Sequence, residues 1–202
     1  MTPSPATDPA VHVPASSEAR PVVSPWAWAA LLAALGALAG SLYLSLGMDL
    51  KPCPLCYYQR TFAMALVGVL GMGLVTGAGQ AGRLSLVALP VAVAGLGVAL
   101  FHVWLEATGK LECPQGVLGW GTAPQQSLAA FGLTAALLVG AAVRGPAPWP
   151  GRWPAVIGGV VLGGLLALAA CTSNPPMPVP PEKPYPKKPP DICRPPSRTP
   201  QG

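Results

Sequence analysis

Two cysteines with two residues between them, Cys53 and Cys56, enclose Pro54 and stand just before a long apolar run. Where such a pair opens a helix, the unsatisfied N–H groups of the first turn and the positive end of the helix dipole stabilise a thiolate, the species that exchanges disulfides. Pro54 suits that turn, because its missing N–H costs nothing there and its fixed φ helps to set it. At about 100° per residue, Cys53, Cys56 and Arg60 fall within about 60° of one another on the helix surface, which puts the guanidinium beneath the thiols. An arginine one turn inside a membrane helix is costly and implies an anionic or polarizable partner. A quinone head group is such a partner, since its carbonyl oxygens grow more negative as electrons arrive. The plainer readings are that Arg60 snorkels to the interface, or that the cysteines form an inert disulfide or a metal site. A closed metal site generally takes four ligands, and the chain has no second Cys-x-x-Cys and no paired histidines.

The elements that hold these residues follow from composition. Of 202 residues, 51% are hydrophobic and 9% charged, with mean hydropathy +0.49; this excludes a disordered chain and argues for a membrane protein. The formal net charge of +5 does not indicate nucleic acid, because five of the twelve cations lie in a Pro-rich C-terminal stretch without a basic helix. Apolar runs at Trp26–Leu46, Tyr57–Val75, Leu84–Leu105 and Ser127–Val143 each suffice for a transmembrane helix. A fifth run, Ala155–Cys171, follows a basic joint. The fold class is therefore an all-α membrane protein: a four-helix transmembrane bundle, a fifth transmembrane helix and disordered Pro-rich termini. The corresponding segments are a leader over 1–24, the bundle over 25–143, the joint and fifth helix over 144–171, and a tail over 172–202. That tail has 12 prolines in 31 residues and is expected to be extended, like polyproline.

Cations weakly bias the amino terminus to the inside, with Arg20, Arg83, Arg144 and Arg152 on one side and Lys51 and Lys110 on the other. In that orientation Cys53, Cys56, Cys113, Cys171 and Cys193 all lie at or beyond the outer face, where disulfides persist. The connection over 106–126 carries an apolar patch, Val117, Leu118 and Trp120, able to rest on the membrane surface. His102 and Glu106, four apart, are placed to face each other as a proton route for a quinone. Gly73-x-x-x-Gly77 and Gly159-x-x-x-Gly163 read as close helix contacts.

The run Cys53-Pro54-Leu55-Cys56-Tyr57-Tyr58-Gln59-Arg60 resembles the signature of the bacterial disulfide-bond formation protein B (DsbB) family. Four spans and a cysteine, Cys113, after the third extend the resemblance over roughly residues 30 to 143. It implies a quinone-dependent thiol oxidase of the bacterial inner membrane, with its redox cysteines on the periplasmic face. Cys53 and Cys56 would form the disulfide beside a bound ubiquinone or menaquinone, Cys56 being the nearer sulfur and Arg60 assisting charge transfer; Tyr57 and Tyr58 read as interface anchors or pocket residues, the motif favouring a cofactor role for Tyr58, and His102 joins the cofactor site through its own position in the third span. A second cysteine pair would oxidise a periplasmic thioredoxin-like carrier (DsbA-like).

Only Cys113 of that second pair lies in the expected connection. Its partner is Cys193, Cys171 or neither, and sequence does not choose among the pairings. Cys193 is favoured, since a tether of about twenty residues reaches the facing loop; a lone relay role for Cys113 is the rival. Leu168-Ala169-Ala170-Cys171 also looks like a lipoprotein processing site. A vitamin-K-epoxide-reductase-like protein and a membrane soft-metal-binding protein are the alternative functions.

Overall fold

The computed structural model describes residues 24–76, 81–144, 152–175, 179–183, 185 and 190–197. The leader, but for Ser24, lies outside them, as does the turn containing Gly77. Among the described residues there are five helices and no strands: α1 (Pro25–Leu46), α2 (Pro54–Val75), α3 (Ala81–Ala107), α4 (Ala123–Arg144) and α5 (Arg152–Thr172). Each is long and apolar enough to cross a membrane. The helices begin earlier than the apolar runs because prolines open them. Pro25 and Pro54 occupy the first turn of α1 and α2, and Pro124 follows the first residue of α4.

Helix α3 is central: it packs against α2, α4 and α5, while α1 closes the other side against α2 and α4. Its interior face buries Ala88, Leu89, Ala92, Val98 and Ala99 completely. Leu66 and Leu70 of α2 and Leu138 of α4 meet it in the core, whereas Leu32, Leu133 and Leu165 stay exposed, as lipid-facing positions do. Because lipid is as apolar as leucine, close contact between such helices is gained by small residues rather than by excluding water. Gly163 on α5 shows this: a Cβ there would stand 2.6 Å from the Pro90 carbonyl oxygen of α3. Gly97 on α3 likewise faces the Ala167 methyl of α5, and Gly73 on α2 faces Leu84.

The tail departs from expectation. Among its described residues beyond Thr172 there is no helix, yet the last of them are docked rather than disordered. Lys51 N–H donates to the Asp191 carbonyl at 2.9 Å, and Glu112 and Arg194 exchange main-chain hydrogen bonds at 2.7 and 3.0 Å. The Arg194 side chain is buried, stacks over the Tyr185 ring at 3.8 Å and pairs with Asp191 at 3.6 Å. Proline supplies no N–H, so twelve of the tail's residues cannot donate in this way. Asp191-Ile192-Cys193-Arg194 is its longest proline-free stretch, and it is the part that docks.

Candidate redox site

The site lies where the start of α2, the end of α3, the connection after it and the docked tail converge. Cys53 is the N-cap of α2, and its sulfur accepts the Cys56 backbone N–H at 3.3 Å. The two sulfurs are 2.8 Å apart, and both cysteines are free thiols. The hydrogen bond to Cys56, together with burial, holds the Cys53 thiol well above the ordinary range.

Cys113 and Cys193 form a disulfide across 80 residues of sequence. Of the pairings left open by the sequence, this is the one present; Cys171, near the end of α5, is free and half-buried. The second pair is not remote from the first. Ligand atoms of Cys53, Cys56, Cys193 and His102 all lie within 4.8 Å of one another.

His102 of α3 is fully buried among these sulfurs. Its Nε2 is 3.8 Å from Cys53 Sγ and 3.5 Å from Cys113 Sγ, while Nδ1 accepts from the Gln59 side-chain amide at 3.4 Å. Glu106 does not face it; the Glu106 carboxylate accepts the Thr122 hydroxyl at 2.8 Å. The four-residue spacing put both on one side of α3, but His102 turns inward to α2 and Glu106 turns to the connection.

Beside the thiols a cavity of about 600 Å³ opens between α1, α2 and α4. Cys56, Gln59, Arg60 and Cys193 line it with Phe131 and apolar residues of α1, and Val117 and Leu118 lie along it. Part of the apolar patch of the connection therefore borders this cavity. Arg60 Nε donates to Ser41 Oγ at 3.1 Å, and its Nη2 donates to the Ser41 carbonyl at 2.9 Å and to Ser45 Oγ. The guanidinium is thus tied to α1 along the cavity wall. Neither Cys53, His102 nor Tyr58 lines the cavity. Tyr58 instead points to α5, its hydroxyl 3.2 Å from Ser173 Oγ.

Sequence reasoning gave no role to Gln59, Ser41 or Ser45. The two serines stand four apart on an otherwise apolar helix, a spacing that puts both on one face and was a readable sign of a polar partner inside the bundle. Gln59 is the buried amide of α2, and helical spacing from Cys56 sets it one turn below the sulfurs.

The family model for disulfide bond formation protein DsbB matches residues 24–137. The chain belongs to the DsbB family. Among its relatives, the "Probable disulfide formation protein" of Chlamydia trachomatis is 35% identical over 123 residues, covering 56% of this chain and 87% of that protein. "Disulfide bond formation protein B" of Burkholderia pseudomallei is 38% identical over 84 residues, 41% of this chain and 49% of that protein. The protein of the same name from Xanthomonas campestris is 40% identical over 82 residues, 39% of this chain and 48% of its own length. No solved structure matches the chain significantly. Membership makes this multi-pass membrane protein a disulfide oxidoreductase that works in disulfide-bond formation. The family match ends inside α4, so α5, the tail and Cys193 lie beyond it.

Proposed function

We propose that the chain oxidises a DsbA-like dithiol carrier at the Cys113–Cys193 disulfide, passes the electrons to Cys53 and Cys56, and delivers them to membrane ubiquinone or menaquinone. The observation that carries this reading is the closeness of the Cys193 sulfur to both sulfurs of the first pair, within 4.8 Å. A carrier thiolate attacks the Cys113–Cys193 bond, and a second carrier thiolate resolves the mixed disulfide, leaving both cysteines reduced. The Cys193 thiolate then attacks Cys53 of an oxidised Cys53–Cys56 pair; the Cys193–Cys53 bond forms and Cys56 departs with the electron pair. Attack by Cys113 on Cys193 restores the second disulfide and leaves Cys53 and Cys56 reduced.

The cavity fits a quinone head group. It is largely apolar, it has Cys56 on its wall, and the Arg60 guanidinium is held there by three hydrogen bonds to α1. A bound quinone supplies the two-electron acceptor. Arg60 offers fixed positive charge to it, Gln59 contributes amide polarity, and Phe131 with the α1 residues excludes water. In this reading the amino terminus is cytoplasmic, the membrane is the bacterial inner membrane, and both pairs face the periplasm.

Purified protein given decylubiquinone and a reduced thioredoxin-like protein tests this. Oxidation of the dithiol is expected to match quinone reduction one for one and to stop in Cys56→Ser; undiminished quinone reduction in that variant refutes the path. Labelling of an added exposed cysteine, Lys110→Cys, in intact spheroplasts by a membrane-impermeant maleimide, compared with the parent, checks the topology.

A further inference from the structure

We infer that the fully reduced protein contains a four-coordinate site for a zinc-class divalent cation, formed by Cys53, Cys56, Cys193 and His102, and that occupying it stalls electron transfer. The inference rests on the proposed relay, because only there does Cys193 pass through a free thiol. In the described state its sulfur is bound to Cys113, and a disulfide sulfur is not a thiolate ligand. The metal site is therefore gated by redox state: the carrier's electrons create it.

Four observations build it. The four ligand atoms already converge within 4.8 Å, and three thiolates with one imidazole is a common tetrahedral zinc set. Cys53 and Cys56 come from one turn at a helix start, and the Cys56 backbone N–H already points at Cys53 Sγ, an arrangement that supports thiolate charge. The third sulfur keeps its place without the disulfide, because Asp191 is held by Lys51 and Arg194 by Glu112 through main-chain hydrogen bonds on either side of it. The imidazole turns Nε2 to the sulfurs and has the Gln59 side-chain amide behind it at Nδ1; with that amide turned so that its oxygen accepts an Nδ1 proton, it would orient Nε2 as a ligand. Only the second point is local to one turn: the sequence offered Cys-x-x-Cys without a second pair of ligands, and the fold brings in the other two.

Binding requires no oxidant. One dication displaces three thiol protons and leaves three metal–sulfur bonds and one metal–nitrogen bond, with net charge −1 at the mouth of α2. While the ion is held, Cys193 has no free thiolate to attack a disulfide, and Cys53 and Cys56 cannot pair.

Cobalt(II) is the probe, added to the full-length chain in detergent micelles after reduction with a phosphine. The expected result is one equivalent bound, with thiolate-to-cobalt charge-transfer absorption and the strong visible bands of tetrahedral cobalt, displaced by zinc. The oxidised chain is expected to bind none, a comparison that needs no variant. Cys193→Ser and His102→Ala are each expected to weaken cobalt binding at least about tenfold, and Cys171→Ser to bind as the parent does. Zinc added to the reduced protein is expected to slow return to the Cys113–Cys193 state until a chelator removes it. Equal binding by oxidised and reduced protein, or unchanged binding in both ligand variants, overturns the site. Exchange between the two cysteine pairs without cobalt binding overturns the site and leaves the relay standing. Cobalt binding without exchange leaves the site and overturns both the relay and the stall.

Discussion

The two cysteine pairs are built in opposite ways. Cys53 and Cys56 sit in one turn at the start of one helix, so their closeness is a local property that the chain fixes as soon as α2 forms. Cys113 and Cys193 are 80 residues apart and meet only because α5 packs on α3 and the tail folds back onto the connection. A local pair is robust and poorly adjustable. The long-range pair depends on every contact that seats the tail, and so offers more places where it can be broken without touching a sulfur.

The sharpest way to separate the pairs is to remove one sulfur from each. Cys56→Ser is expected to abolish quinone reduction from any thiol donor. Cys193→Ser is expected to abolish oxidation of a protein carrier but to leave dithiothreitol able to reduce Cys53–Cys56 directly, a difference read by following decylubiquinone absorbance with each donor. Equal loss with both donors would mean that the second pair also holds the first in place.

Arg60→Ala comes next. It removes the three hydrogen bonds to α1 and the charge on the cavity wall, each charged bond contributing about 1.5–3 kcal/mol. The apparent KM for quinone should rise at least about tenfold, with only partial rescue by Arg60→Lys, since an ammonium cannot reproduce a planar fork. Gly163→Leu attacks the long-range pair from a distance. Overpacking against Pro90 and Val93 should cost about 1–3 kcal/mol and lower the yield of the Cys113–Cys193 disulfide in mass mapping, leaving Cys53 and Cys56 competent with dithiothreitol. The smallest change is expected from Tyr58→Phe, which loses one exposed hydrogen bond to Ser173, worth about 1 kcal/mol or less. Quinone turnover within about twofold of the parent is the outcome that matches its position on the α5 side.

The same contrast explains what could be read without coordinates. The five helices follow from apolar length, and the placing of Cys53 and Cys56 at the head of one of them from a proline and a helical period. These signals are all contained within about twenty residues. His102 was recognisable as an ionisable residue in a membrane helix, but its neighbours were not: spacing on α3 suggested Glu106, whereas Gln59 and four sulfurs surround it. Tyr58 was placed with the cofactor by the family signature; two helical steps of about 100° from Arg60 set its hydroxyl beside Ser173 at the end of α5. The tail was the largest surprise. Proline content predicted no regular structure there and its described residues beyond Thr172 form no helix, while four residues that each carry an N–H group, among them the apolar pair Ile192 and Cys193, were enough to dock its end.

The docked tail also sets an order of events during biosynthesis. A nascent chain that has inserted α1 to α4 already exposes Cys53, Cys56 and Cys113, but residue 193 is still unmade or inside the ribosome. On the proposed relay, electrons from a carrier reach the first pair only after α5 has been made and the segment following it has latched beside Lys51 and Glu112.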